Sequence, residues 1–284
     1  MNNIQIITDS ASDIVDSARD DLTVLPMTIT FGETEYLDGV SLSHNEFYEK
    51  LVECDDLPTT SQIPPYDFAQ AMRRVIEAGD TAIVITLSGK LSGTYQSACV
   101  AAAEFEGKVC VVDSENVTVG ERALIEYALT LKDSGMEILD IVATLEKSKK
   151  NIQLIALLDT LEYLKKGGRI SKTVAFAGNV LSIKPVVGVV DGEVAMLGKA
   201  RGSKHGNNLL AEQIQKVGGI DFSKPYFLGY TGLSDALIQK YIADSKALWN
   251  EAVEGLHVAT VGGTIGTHVG PGAIAVAFFS NAAL

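Results

Sequence analysis

Ser92, Gly93 and Thr94 follow one another in the stretch 88–98, directly after the apolar, β-branched run 81–87. That run reads as a strand of a parallel sheet, and a strand-to-helix turn at its end is where α/β proteins bind ligands. With Ser92 as N-cap, the Gly93 and Thr94 amides lie in the first helical turn, unpaired within the helix and at the positive end of its dipole. Two small hydroxyls beside such amides suit a single anion. A serine that merely caps its helix has the same local signature, so this stretch alone leaves both readings open.

Two further stretches offer compatible chemistry. Thr59, Thr60 and Ser61 lie in a loop bracketed by Pro58, Pro64 and Pro65, stiff enough to hold a head group, although two prolines before a helix also serve as punctuation. In the segment 262–272 five glycines surround His268, which permits close backbone approach and supplies the one side chain there able to carry positive charge; a histidine in such a turn can equally be structural. Asp9, Ser10, Ser12 and Asp13 follow the first strand, either as a site at its C-terminal end or as a capping turn. His44, with no Cys or carboxylate at metal spacing, reads as a surface or capping residue. G-x-x-x-x-G-K-[ST], G-x-S-x-G, H-E-x-x-H and a G-x-G-x-x-G opening the first helix are all missing from the sequence, which weighs against a nucleotide-dependent enzyme.

The elements that must position these groups alternate as strand and helix up to about residue 158, the pattern of a parallel sheet. Strands are expected at 4–8, 22–29 (interrupted by Pro26), 81–87, 108–112 and 152–158, with helices at 44–52, 66–78, 94–104, 120–131 and 137–149. After residue 183 the pattern changes. Two apolar runs separated by Asp191-Gly192 predict a tight hairpin, followed by helices over 204–217 and 234–249 and strands at 226–231, 256–261 and 273–279. The expected fold is therefore α/β with two domains: an N-terminal parallel βα sheet domain over 1–165 and a C-terminal mixed-sheet domain over 166–284.

With 284 residues, 46% hydrophobic and 21% charged, the chain can bury two cores. Its formal net charge of −13 disfavours nucleic acid and anionic membrane surfaces as partners. Cys54, Cys99 and Cys110 have neither C-x-x-C spacing nor an even count, which fits a reducing compartment. The N-terminal residues do not have a signal-peptide pattern, and the apolar run 273–279 is too short to span a bilayer. A cytoplasmic protein without stable membrane insertion is expected.

Taken together, Thr8-Asp9-Ser10, Thr60-Ser61-Gln62, 91–95 around Ser92-Gly93-Thr94, Val112-Asp113-Ser114, 166–172, Ile183-Lys184-Pro185 and His268-Val269-Gly270-Pro271-Gly272 resemble the DegV family of fatty-acid-binding proteins, which includes the lipid-carrying B subunits of bacterial fatty acid kinase. The order of these motifs, end to end, makes the resemblance specific. Ile63 departs from it, since the family commonly has Pro after Thr-Ser-Gln. The resemblance implies a long-chain fatty acid such as palmitate or oleate bound between the domains, its carboxylate held by Thr60, Ser92 and His268 with Ser61, Gly93 and Thr94 adjacent, and no cofactor. It also implies a separate ATP-dependent kinase subunit as partner, with Arg201 at the docking position; a solvated arginine at a hairpin end reads the same. One rival is an esterase-like hydrolase using Ser92 and His268 with Asp9 or Asp113. Another is an interaction module without a ligand. A bound carboxylate is expected to raise the His268 pKa.

Overall fold

The computed structural model describes residues 3–15, 17–170, 183–249 and 255–282; Ser171 and Lys172 of the family-like motif lie outside them. In chain order the elements are β1 (Ile4–Asp9), β2 (Leu22–Leu25), β3 (Thr28–Phe31), β4 (Thr34–Leu37), α1 (His44–Glu53), β5 (Thr59–Ser61), α2 (Pro65–Glu77), β6 (Thr81–Thr86), α3 (Thr94–Ala102), β7 (Val109–Asp113), α4 (Thr118–Asp133), α5 (Ile138–Ser148), β8 (Ile152–Leu157) and α6 (Glu162–Lys166). They continue as β9 (Ile183–Val190), β10 (Glu193–Arg201), α7 (Gly202–Lys216), β11 (Phe227–Tyr230), α8 (Ala236–Asp244), α9 (Lys246–Trp249), β12 (Val258–Thr260), α10 (Gly263–Val269) and β13 (Ile274–Phe279).

Three sheets result. A four-stranded sheet of order β2-β1-β6-β7 is parallel throughout, and its inner strands are mostly apolar at their centres because both faces are covered there; Ile6, Ile7 and 82–85 are fully buried. A six-stranded sheet of order β10-β9-β8-β13-β11-β12 is mixed, with only β11 and β12 parallel. Its β9–β10 hairpin turns on Asp191 (φ 49°) and Gly192 (φ 80°), the positive pair that a type I′ turn demands. β8 precedes residue 165 in sequence, yet it pairs with β9 and β13. The third sheet, β4-β3-β5, is small and antiparallel.

Three expectations change. Residues 22–29 form not one strand but two, because Pro26 cannot donate a ladder hydrogen bond and the chain crosses there from the parallel sheet to the small one. The proline-bracketed 59–61 segment is a strand rather than a loop, paired with β3 through Thr28↔Ser61 and Ile29↔Thr60. The expected helix over 234–249 breaks at Ser245, whose hydroxyl donates to the Tyr241 carbonyl at 2.6 Å and accepts from the Trp249 indole at 3.0 Å.

α4 joins the two larger sheets. It packs against β1 and β6 on one side and β8, β11 and β13 on the other, so Val119, Ala123, Leu124, Ile125, Ala128 and Leu129 are all buried. Each Leu or Ile so buried contributes about 1.5–3 kcal/mol before entropy is counted. The space between the sheets not filled by α4 is where the candidate site lies.

Candidate functional site

Four segments converge beside the C-terminal ends of β1 and β6. β5 brings Thr60 and Ser61, the turn before α3 brings Ser92 and Gly93, α10 brings His268, and the residues after α6 bring Arg169; all six line one cavity of about 960 Å³. Thr60 Oγ1 and His268 Nε2 share a hydrogen bond of 3.0 Å. Ser61 and Gln62 are exposed, so this end of the cavity meets the surface.

Ser92 is not the N-cap. Gly93 occupies that position without a side-chain cap bond and α3 starts at Thr94, while Ser92 Oγ accepts from the Thr94 amide at 3.3 Å and pairs with Thr94 Oγ1 at 3.0 Å. Thr94 itself is fully buried and serves the Ser92 hydroxyl rather than the cavity wall. Gly93 permits a close approach: a Cβ there would lie 2.0 Å from Gln62 Oε1, and Gln62 in turn donates to Ser97 Oγ at 2.9 Å. The glycine thus lets β5 and α3 bring their hydroxyls together.

The glycine-rich segment around His268 is helical rather than a loop. α10 begins at Gly263, and carboxylates from the N-terminal part of the chain satisfy its free amides: Asp13 accepts from the Gly262 amide at 2.7 Å, and Asp38 accepts from the Gly263 and Thr264 amides at 3.1 and 3.0 Å. Side-chain oxygens placed there satisfy amides that have no partner within the helix. His268, in the last turn, is thereby aimed at Thr60. Burial pushes Asp13 up to about 8 and Asp9 up to about 7, each against hydrogen bonds that pull it down. His44 is the first residue of α1, behind the Ser43 capping box, but it is not simply a surface residue: a Cβ on Gly262 would lie 2.6 Å from its Nε2.

The electrostatics of the polar end are cationic through Arg169, which sequence reasoning missed as a site residue. Its Nη1 donates to the Gly167 carbonyl at 2.6 Å and its Nε to the Leu91 carbonyl at 3.2 Å. Burial, and then the Arg169 charge, push the His268 imidazole down from 6.5 to about 4, so at neutral pH the imidazole is uncharged and the guanidinium carries the charge. Among the described residues His268 Nδ1 is buried without a hydrogen-bond partner, and it packs so closely on Gly167 that a Cβ there would lie 2.2 Å away.

Val117, Leu164, Val194, Ile265 and Val269 of this cavity also line a second, apolar space of about 520 Å³. That space lies against β8, β9, β11 and β13, with Ala156, Val187, Gly229 and Ala275 on its wall. Its hydroxyl-bearing residues have their oxygens engaged elsewhere: Thr118 donates to Asp13, Thr231 Oγ1 accepts from the Ala273 amide at 2.7 Å, and the Tyr230 hydroxyl accepts from Thr260 at 3.0 Å. The arrangement is a polar, cation-bearing mouth leading to an aliphatic interior.

A hydrolytic triad is not assembled. Among the described residues no hydrogen bond joins Ser92 to His268; Asp9 is held by the Ala11 and Leu87 amides at 3.0 and 2.9 Å, and Asp113 by the Gly89 and Glu115 amides at 3.2 and 2.8 Å. Arg201 is exposed at the end of β10, outside the cavity wall. Among the described residues no cluster of His, Cys, Asp or Glu could hold a metal, and no helix is long and apolar enough to cross a membrane.

Comparison with known proteins agrees with this architecture. The family profile described as an uncharacterised protein of the DegV family matches residues 3–281. The chain belongs to the DegV family. A DegV domain-containing protein of Clostridium perfringens is 38% identical over 220 residues, 76% of this chain and 79% of that one. A DegV family protein from Thermus thermophilus, solved in a study of its fatty acid binding, superposes with a TM-score of 0.87 at 31% identity, covering 98% and 99% of the two chains. The Streptococcus pneumoniae fatty acid kinase B3 protein, loaded with linoleic acid, shares the DegV fold at 20% identity with a TM-score of 0.83, over 98% of this chain and 100% of that one.

Proposed function

We propose that this DegV protein binds one long-chain fatty acid, with its carboxylate at the mouth formed by Thr60, Ser61, Ser92, Gly93, His268 and Arg169 and its acyl chain in the aliphatic space beyond. The observation that carries this reading is that the two spaces adjoin, with Val117, Leu164, Val194, Ile265 and Val269 lining both. Burying a carboxylate is costly unless it is paired and hydrogen-bonded, and the mouth offers a guanidinium, hydroxyls and an imidazole. Burying methylenes at about 0.8 kcal/mol each gives a long acyl chain roughly ten kcal/mol gross, so the tail supplies affinity and the head sets orientation. The fatty acid binding of the Thermus thermophilus relative and the linoleic acid held by the Streptococcus pneumoniae protein support the same assignment.

On this reading the protein is a carrier rather than an enzyme, and the head group near the exposed Ser61 is presented to a separate ATP-using subunit for acyl phosphate formation. The kinase B3 neighbour and the exposed Arg201 support that role. The ligand would lie between the unit built on the parallel sheet and the unit built on the mixed sheet, which β8 joins, and free thiols at Cys54, Cys99 and Cys110 suit a cytoplasmic setting. Mass spectrometry of an organic extract of the purified, denatured protein is the test. Stoichiometric fatty acid is expected; a ligand-free protein that also takes up no added fatty acid and hydrolyses no acyl ester would falsify the carrier reading, and ester hydrolysis would favour the esterase.

A further inference from the structure

The strand register shows which way an occupant of the aliphatic space must run. Val187 of β9 pairs with Ala156 of β8, Ala156 with Ala275 of β13, and Ala275 with Gly229 of β11. These four residues form one row across the strands, and all four line the aliphatic space. Along β8 and β11 the neighbouring rows carry larger groups, Leu154 and Phe227 on one flank and, just past the strand ends, Leu158 and Thr231 on the other, while along β13 alanine stands in all three rows, at Ala273 just before the strand, Ala275 and Ala277. Ala156, Ala275 and Gly229, walled by the bulkier side chains of β8 and β11, make a trough perpendicular to the strands.

The trough is closed at one end. A Cβ built on Gly229 would lie 3.1 Å from Val261 Cγ2 and 3.3 Å from Val119 Cγ1, so those two valines stand directly over the glycine. At the other end Val194 and Leu164 belong to both spaces and lead to the polar mouth. We infer that Gly229, roofed by Val119 and Val261, is the stop against which the methyl end of the acyl chain rests, and that it sets the longest chain the protein accepts. This rests on the fatty-acid reading above.

The dimensions are those of a long acyl chain. Four adjacent strands at about 4.8 Å spacing span roughly 14 Å. An extended backbone advances about 3.5 Å per three bonds, so the trough holds on the order of twelve carbons in addition to those between it and the mouth.

The test is the binding of laurate, myristate, palmitate, stearate and arachidate to delipidated full-length protein, wild type and two variants, by competition against a fluorescent fatty acid. Gly229→Ala fills the stop and should lower affinity for the longest acids by about fourfold for each methylene that no longer fits, with a smaller loss the shorter the acid. Val261→Ala removes part of the roof and should shift preference the other way, towards the longer acids, and it decides the matter by itself if Gly229→Ala does not fold. Variants that weaken every acid by the same factor, or leave the order of preference unchanged, overturn the stop while the fatty-acid reading stands. Wild-type protein that binds none of the series overturns both.

Discussion

A neutral His268 makes a quantitative prediction about stability. Its imidazole is held at about 4 in the folded protein, against an unfolded value near 6.5. The unfolded chain therefore binds a proton that the folded chain refuses, and stability is lost as pH falls through that window. At about pH 7 the loss is only a few tenths of a kcal/mol, and at about pH 5 it reaches roughly 2 kcal/mol. Asp9 and Asp13 work in the opposite direction, because their raised folded values make the folded state take up protons first as the pH falls below about 8. The total pH dependence therefore mixes opposing terms, and the informative quantity is a difference between two proteins.

His268→Gln provides it. Glutamine can still hydrogen-bond Thr60 but does not titrate, while Asp9 and Asp13 are common to both proteins and cancel. Urea denaturation of delipidated wild type and variant at about pH 7 and about pH 5 should show the wild type losing roughly 2 kcal/mol relative to the variant on acidification. A relative change below about 0.5 kcal/mol would refute a buried, neutral imidazole. Bound fatty acid adds a carboxylate that favours imidazolium, so NMR titration should show the His268 pKa moving upward in the complex. An unchanged or lower value there would remove any charge role for His268 and leave it as a hydrogen-bonding partner of Thr60.

Arg169→Leu removes the cation of the mouth and should weaken fatty acid binding about tenfold to a hundredfold, the range for a charge-assisted hydrogen bond; equal affinity measured by competition would show that the guanidinium serves only the Leu91 and Gly167 carbonyls. Ser92→Ala removes the hydrogen bonds to Thr94 and should cost about 1 kcal/mol of stability but more than tenfold in affinity, since a buried carboxylate left short of a donor costs more than a lost local hydrogen bond; matched losses in melting and binding would reduce Ser92 to a structural partner of Thr94. Gly167→Ala places a methyl 2.2 Å from His268 Nδ1 and should displace the imidazole from Thr60, lowering affinity with little change in secondary structure. Retained affinity, together with an unshifted His268 ring signal, would count against that packing.

The parts of this fold legible in the sequence are those whose causes are local. β1 and β6 show as apolar runs because a parallel strand covered on both faces has no polar side to interrupt it, and the β9–β10 hairpin shows because Asp-Gly supplies two positive φ angles in succession. Where the cause is distant, the sequence misleads. Five glycines in eleven residues read as a loop since glycine is a poor helix former, and α10 exists because Asp13 and Asp38, more than two hundred residues earlier, accept from its first amides. Thr59–Ser61 reads as a loop for the same reason, its pairing with β3 being non-local. Arg169 follows a helix with two lysines in its last turn and so reads as one more helix-end cation; the carbonyls of Leu91 and Gly167 bring it into the cavity wall. The hydroxyls at 60 and 92 and the imidazole at 268 are legible as residue types able to meet an anion, whereas the Arg169 guanidinium joins them in one cavity wall only in the folded chain.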